Sequence, residues 1–170
     1  MSKIVWVVSG PSVVGKSYFI DKKTDRLSEV IGVPNELVHK VETFDPAGSF
    51  EDELNYLKEN ESVCLYHIDT LHMDGKDFRK YTFEDLFSVP FEKKVIILGI
   101  PYNEYKKRFE SLSDSRNNDH LQLQNRYLIY KNYVDWVNKL KEHNIPYIFV
   151  EAKNEYKTLE EIEFFKMLRL

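Results

Sequence analysis

Residues Ser9–Ser17 read "SGPSVVGKS" and directly follow the apolar run "IVWVV" at positions 4–8. Positions 10–17 match the pattern G-x-x-x-x-G-K-[ST] in full. A loop that wraps a phosphate must point consecutive backbone N–H groups inward, and glycine permits the backbone angles and the close approach that this requires. The stretch therefore predicts a phosphate-binding loop between a buried strand and a helix.

The residue types of the loop predict how each position acts on a bound nucleotide. Lys16 supplies a point charge to the β- and γ-phosphates, and Ser17 offers a hydroxyl to Mg²⁺ at the start of the helix. The other positions predicted to bind the phosphates are Gly10, Pro11, Ser12, Val13, Val14 and Gly15. A chance match in a turn is the alternative interpretation, and the flanking strand and helix argue against it.

Composition limits the class of protein. A chain of 170 residues, 42% hydrophobic and 31% charged, predicts a single folded domain over 1–170 and excludes a disordered chain. No apolar run approaches the ~20 residues of a membrane span, and the N-terminus lacks the regions of a signal peptide. The single cysteine, Cys64, suits a reducing cytoplasm. The net charge of −4 gives no general attraction for nucleic acid, although a local basic groove is compatible with it.

Predicted strands and helices alternate along the chain. Apolar and β-branched runs predict five strands, at 3–9, 37–44, 62–69, 93–100 and 145–152. Helices are predicted at 16–31, 49–60, 101–116, 119–142 and 158–170. This alternation predicts an α/β fold with a doubly wound, mainly five-stranded parallel sheet flanked by helices. In the helix at about 119–142 an aromatic stripe with Tyr127 and Tyr130 predicts core packing, and Trp136 is expected to anchor the helix or cover the sheet. The role of Tyr133 is left open.

At the loop the chain resembles the P-loop kinases of the nucleoside-monophosphate-kinase type. "SGPSVVGKS" is similar to the "SGPSGVGKS" loop of guanylate kinases, with Val13 where that family has glycine. The arginine- and tyrosine-rich segment by which guanylate kinases grip GMP is not recognisable after the first predicted helix. The resemblance therefore implies a P-loop NTPase fold that binds ATP and Mg²⁺, but not a guanylate kinase. It also implies that "VEAKNEY", after the fifth predicted strand, contacts the adenine ring mainly through backbone groups.

Two aspartates follow predicted strands. Asp69 ends "VCLYHID", at the carboxyl end of a strand next to the loop strand, where a carboxylate can hold Mg²⁺. A turn or helix-cap residue is the alternative for Asp69. Asp45 lies in "TFDPAG", where the resemblance implies an aspartate that orients or deprotonates the accepting hydroxyl. An Asp-Pro turn explains Asp45 equally well.

A lid-like segment is predicted near 105–120, beginning with "YKKRFESLSDSR". In the resembled kinases, arginines of such a lid close over the transferred phosphate and neutralise the charge on its oxygens. The resemblance assigns this role to Arg108 and Arg116, and Arg126 is a further candidate on the next helix. The alternative is a solvated basic helix face.

Together these features predict an ATP- and Mg²⁺-dependent kinase. The acceptor is a hydroxyl or phosphate on a nucleotide, a nucleic-acid base or end, or a small metabolite; compact phage-type kinases that phosphorylate bases in DNA fall within this range. A second interpretation is a nucleotide-binding switch or NTPase module without an acceptor. A third is a P-loop sulfotransferase-like enzyme, which would need no metal, whereas Ser17 and Asp69 favour one. The oligomeric state is left open.

Overall fold

The computed structural model describes residues 4–11, 13–41, 63–68, 91–111 and 125–170. Its strands are β1 (Ile4–Ser9), β2 (Val38–Val41), β3 (Val63–Ile68), β4 (Glu92–Gly99), β5 (Tyr147–Glu151) and β6 (Thr158–Leu159). They form one sheet with the spatial order β2-β3-β1-β4-β5-β6. Strands β1 to β5 pair in parallel, and β6 pairs with β5 in the antiparallel direction.

Five α-helices lie among the described residues: α1 (Lys16–Lys22), α2 (Thr24–Ile31), α3 (Tyr102–Glu110), α4 (Arg126–Glu142) and α5 (Glu161–Leu168). The predicted α/β class, with a mainly parallel sheet flanked by helices, is confirmed. The predicted helix at 49–60 lies outside the described residues.

Boundaries of four predicted helices are wrong. The helix predicted over 101–116 ends at Glu110, and the helix predicted from 119 begins at Arg126, after its N-cap Asn125. The single helix predicted over 16–31 is interrupted at Lys23, whose backbone leaves the helical region with φ −104° and ψ 44°. The helix predicted over 158–170 begins only at Glu161, because Thr158–Leu159 pair with β5 as strand β6. A capping box between the side chains and backbones of Glu160 and Glu163 then starts α5.

The centre of the core is formed by β1 and β4, whose apolar side chains are almost entirely buried. A strand covered on both faces needs no alternation of polar and apolar residues, which explains why residues 4–8 of β1 and 95–98 of β4 are continuously apolar. Ser9 pairs with Ile97, and Ile97 pairs with Phe149, so these three side chains point to the same face of the sheet. Helices α4 and α5 cover that face.

Aromatic side chains fasten α4 and α5 to the sheet. Trp136 Nε1 donates a hydrogen bond of 3.0 Å to Ser9 Oγ, which itself donates to the Ile96 carbonyl at 3.1 Å. The Phe164 ring stacks on Phe149 with their centroids 4.4 Å apart. Tyr133, buried on α4, donates from its hydroxyl to the Leu98 carbonyl oxygen at 2.7 Å. The prediction that Trp136 anchors this helix or covers the sheet is confirmed. The core prediction is wrong for Tyr127 of the aromatic stripe, which is 84% exposed.

Because β1, β4 and β5 are parallel, their carboxyl ends meet at one edge of the sheet. The segments that continue from them are residues 10–15, residues 100–101 and the loop at 152–157. These segments form the site described next. In the part of the chain that the structure describes, no helix combines the length and apolar character needed to cross a membrane.

Candidate phosphate-binding site

The loop between β1 and α1, called the phosphate loop after its predicted role, has backbone geometry that favours glycine at both pattern positions. A Cβ atom on Gly10 would lie 2.8 Å from Val14 Cγ1 and 3.1 Å from the Leu98 carbonyl oxygen. Gly15 has a φ of 107°, and a Cβ there would lie 3.0 Å from the Tyr156 hydroxyl oxygen. Both glycines of the sequence pattern are therefore required by the loop as it is folded.

Val13 occupies the position at which guanylate kinases have glycine, and its backbone is left-handed with a φ of 64°. A β-branched residue rarely adopts this conformation, because its Cβ approaches the following carbonyl oxygen too closely. The one departure from the guanylate-kinase loop thus falls where the backbone favours glycine. The loop holds local strain at this residue.

Lys16 places a charged group inside the loop. Its side chain is only 5% exposed, and Nζ donates hydrogen bonds of 2.8 Å to the carbonyl oxygens of both Gly10 and Pro11. A buried ammonium requires such partners, and here the loop backbone supplies them. Ser17, the next residue of α1, is exposed, so its hydroxyl is accessible to a ligand.

Arg108 on α3 reaches the same loop from the other side. Its Nη1 donates to the Val14 carbonyl oxygen at 2.9 Å, and its Nη2 donates to the Ala152 carbonyl oxygen at 3.0 Å. Glu104, one turn earlier on α3, lies 3.5 Å from Nε. The structure thus brings this predicted lid arginine to the phosphate loop, while a role over a transferred phosphate stays a prediction.

The loop at 152–157, after β5, packs behind the phosphate loop. Tyr156 is 3% exposed, and its ring lies parallel to that of Phe19 on α1, with centroids 5.1 Å apart. Its carbonyl oxygen accepts a hydrogen bond of 2.9 Å from Arg26 Nε on α2. Burial raises the pKa of the Tyr156 hydroxyl, and the nearby Arg108 cation partly opposes this shift. The loop is therefore attached to both helices that follow the phosphate loop.

Tyr156 and Arg26 were not among the predicted site residues. Tyr156 adopts a left-handed backbone with a φ of 53°. The carbonyls of Tyr156 and Ala152 anchor this loop by accepting hydrogen bonds from arginines, and no sequence pattern marks either residue. The predicted contact of this segment with an adenine ring stays a prediction.

Several predicted site residues lie outside the described part of the chain: Ser12, Asp45, Asp69 and Arg116. Their roles stay predictions. Ser17 is the one predicted metal ligand that the described residues include, and among those residues no cluster of three or more His, Cys, Asp and Glu is placed to hold a metal ion. Arg126 is described, and its guanidinium lies 5.6 Å from the centroid of the Tyr102 ring, so its contact joins α4 to α3.

Comparison with known proteins supports the fold but identifies no family. No protein-family model matches the chain, and no curated protein matches it. Among solved structures, the chain is similar to one from the molecular and structural characterization of the PezAT chromosomal toxin-antitoxin system of the human pathogen Streptococcus pneumoniae. The two are 13% identical, with a TM-score of 0.51 over 99% of this chain and 78% of that chain. At this level of identity the likeness shows a shared fold and no more, and the sheet described above is compatible with a P-loop-like fold.

Proposed function

We propose that this chain is an ATP- and Mg²⁺-dependent phosphotransferase that moves the γ-phosphate to a hydroxyl or phosphate acceptor. The observation that carries the proposal is the loop at 10–15. A Cβ atom would clash at Gly10, the φ of 107° at Gly15 favours glycine, and the Lys16 ammonium is buried within the loop. A turn that matched the pattern by chance would have no need for a buried cation at this position.

In the proposed complex, the loop backbone and Lys16 hold the β- and γ-phosphates. Lys16 exchanges its hydrogen bonds with the Gly10 and Pro11 carbonyls for bonds with phosphate oxygens. This exchange is favourable because a hydrogen bond between two charged groups is stronger than one to a neutral carbonyl. Ser17 contributes its hydroxyl to Mg²⁺, which neutralises charge on the phosphates when it is bound.

The remaining parts of the proposal rest on the sequence. Asp69 completes the metal site, Asp45 orients or deprotonates the acceptor, and Arg116 closes over the transferred phosphate. The acceptor class is a nucleotide, a nucleic-acid base or end, or a small metabolite. The P-loop-like fold shared with the solved neighbour is compatible with a nucleotide-dependent transferase.

One observation favours the second candidate, a nucleotide-binding switch or NTPase without an acceptor. Arg108, the predicted lid arginine that the structure describes, is already engaged by two backbone carbonyls and by Glu104. A protein that only binds nucleotide needs no arginine to neutralise charge that exists during transfer alone.

The test compares Lys16→Ala with the control Lys22→Ala, which removes an exposed charge from the last turn of the same helix. Each protein is incubated with [γ-³²P]ATP and Mg²⁺ against nucleosides, nucleotides, DNA with modified bases and sugars. Wild type and Lys22→Ala should label an acceptor and gain thermal stability with ATP, by mass action. Lys16→Ala should lose roughly 10³-fold in transfer, about 4 kcal/mol of barrier.

Without nucleotide, Lys16→Ala should keep the circular dichroism spectrum of the wild type. It should lose about 1–3 kcal/mol of unfolding free energy, because the Gly10 and Pro11 carbonyls lose this donor. Absence of any thermal shift with millimolar ATP in the wild type would overturn nucleotide binding. Release of label only to water would favour the NTPase candidate.

A further inference from the structure

Arg108 lies where three separate segments of the chain meet. It extends from α3, and its two terminal nitrogens bond to Val14 in the phosphate loop and to Ala152 after β5. Both acceptors are backbone carbonyls, so these bonds constrain the main chain rather than a side chain. The two hydrogen bonds form a bridge between Val14 and Ala152. A planar guanidinium can donate in two fixed directions at once, which the single ammonium of a lysine cannot reproduce.

The Ala152 end of this bridge is fixed in the core. Ala152 is fully buried, and its N–H donates to the Gly99 carbonyl at 2.8 Å, which ties it to the end of β4. Further along the same loop, Tyr156 stacks on Phe19 and accepts a hydrogen bond from Arg26. The loop at 152–157 is therefore anchored independently of Arg108.

The Val14 end of the bridge directly follows a residue with an unfavourable backbone conformation. Val13, one residue earlier, has the left-handed backbone described above. Such a conformation persists only when the surrounding structure determines it from several sides. The bond from Arg108 to the Val14 carbonyl holds the main chain directly after the strained residue. Glu104 orients the guanidinium from within α3.

We propose that Arg108 is a positioning residue for the phosphate loop. It holds the Val14 carbonyl against the anchored loop after β5 and so keeps residues 13–15 in the shape that binds phosphate. The inference rests on the proposed nucleotide binding. In this role Arg108 shapes the loop before the nucleotide binds and does not act on the transferred phosphate. Loss of Arg108 should accordingly weaken ATP binding more than it lowers kcat.

The test measures backbone amide exchange in the nucleotide-free protein, ATP binding, and kcat on the acceptor found in the labelling experiment. The variants are Arg108→Ala, Arg108→Lys and the control Lys106→Ala, which removes an exposed cation from the same helix. In Arg108→Ala, exchange at residues 13–16 should be at least about tenfold faster, and ATP affinity from thermal-shift titration should fall about tenfold. Arg108→Lys should show an intermediate effect, and Lys106→Ala none.

Two results would overturn the proposal. Unchanged exchange and ATP affinity with a lowered kcat would show that Arg108 acts directly on the transferred phosphate. Faster exchange spread over β1 and β4 as well would show that Arg108 stabilises the fold in general. If Arg108→Ala does not fold, the same measurements on Arg108→Lys distinguish these outcomes. A wild type that shows no shift with ATP contradicts the proposed function, whereas the exchange measurement needs no nucleotide and still tests the bridge.

Discussion

Two buried regions adjoin the carboxyl ends of β1 and β4, and their chemistry differs. The phosphate loop contains a buried cation, Lys16, and a left-handed β-branched residue, Val13. The aromatic face, formed by α4 and α5 on the sheet, contains stacked and edge-on rings around Phe164 and a buried tyrosine hydroxyl that is hydrogen-bonded. Strain and charge are concentrated in the region that we propose binds nucleotide, and relaxed apolar packing is found in the region that supports it.

The two regions meet at Leu98. Its carbonyl oxygen accepts the hydrogen bond from Tyr133 on the aromatic face, and the same oxygen would lie 3.1 Å from a Cβ on Gly10. The position of the β4 backbone, which pairs with β1 and β5, therefore determines how closely the phosphate loop can approach. The comparison predicts that the two regions fail in different ways when they are altered.

The largest effect on stability is expected from Phe164→Ala. Phe164 is fully buried and packs on Phe149 and Tyr133. Its truncation should lower the free energy of unfolding by about 3–5 kcal/mol, through lost apolar contact and a cavity. The control Ile162→Ala, at a side chain 73% exposed, should stay within about 0.5 kcal/mol. Urea unfolding measures both. A loss of ATP affinity in the fraction of Phe164→Ala that remains folded would break the distinction between the two regions.

A smaller effect, with a defined dependence on pH, is expected from Tyr133→Phe. Burial, and to a lesser extent the nearby Tyr105, raises the pKa of the Tyr133 hydroxyl well above its ordinary value. Above about pH 10 the unfolded chain loses a proton that the folded protein keeps, so the free energy of unfolding falls as pH rises towards the folded-state pKa. Removing the hydroxyl should cost about 1 kcal/mol at neutral pH and make this alkaline decline shallower.

Urea unfolding between pH 7 and pH 11 measures this difference. The control Tyr127→Phe, at a side chain 84% exposed, should keep both the stability and the decline of the wild type. If Tyr133→Phe declines as steeply as the wild type, the buried hydroxyl does not cause the alkaline loss.

The smallest effect is expected from Val13→Gly. Relief of the left-handed strain, about 1–2 kcal/mol, should offset the lost packing and the greater freedom of glycine in the unfolded chain, about 1 kcal/mol. The net change in unfolding free energy should lie within about 0.5 kcal/mol. Val14→Gly, one residue along at a fully buried side chain, should instead lose about 2 kcal/mol or more. Equal losses in thermal unfolding of the two variants would show that Val13 is not strained.

The region around β1 could be predicted from the sequence because its signals are local. A continuous apolar run and a glycine pattern occur side by side, and each has one physical explanation. Other features carried no such signal. The break at Lys23 is marked by neither glycine nor proline, and Thr158–Leu159 are too short for an alternating pattern to appear.

The contacts of the candidate site were harder to predict than its elements. Arg108 was expected near the nucleotide because of a resemblance, but its partners are the carbonyls of Val14 and Ala152. Every residue type carries a carbonyl, so no side-chain pattern can indicate such a bond. Likewise, the left-handed backbone at Val13 follows from its surroundings, and the residue type alone predicts the opposite.

The order of the strands has a consequence for how this protein is made. β1 is synthesised before β3 and β4, yet Val5 pairs with Cys64 on one side and with Lys93 on the other. A nascent chain therefore carries an unpaired apolar segment until β3 and β4 have left the ribosome, and contacts between such distant residues form slowly. Since Leu98 of β4 also lies against Gly10, the packing around the phosphate loop is completed only after β4 has been translated.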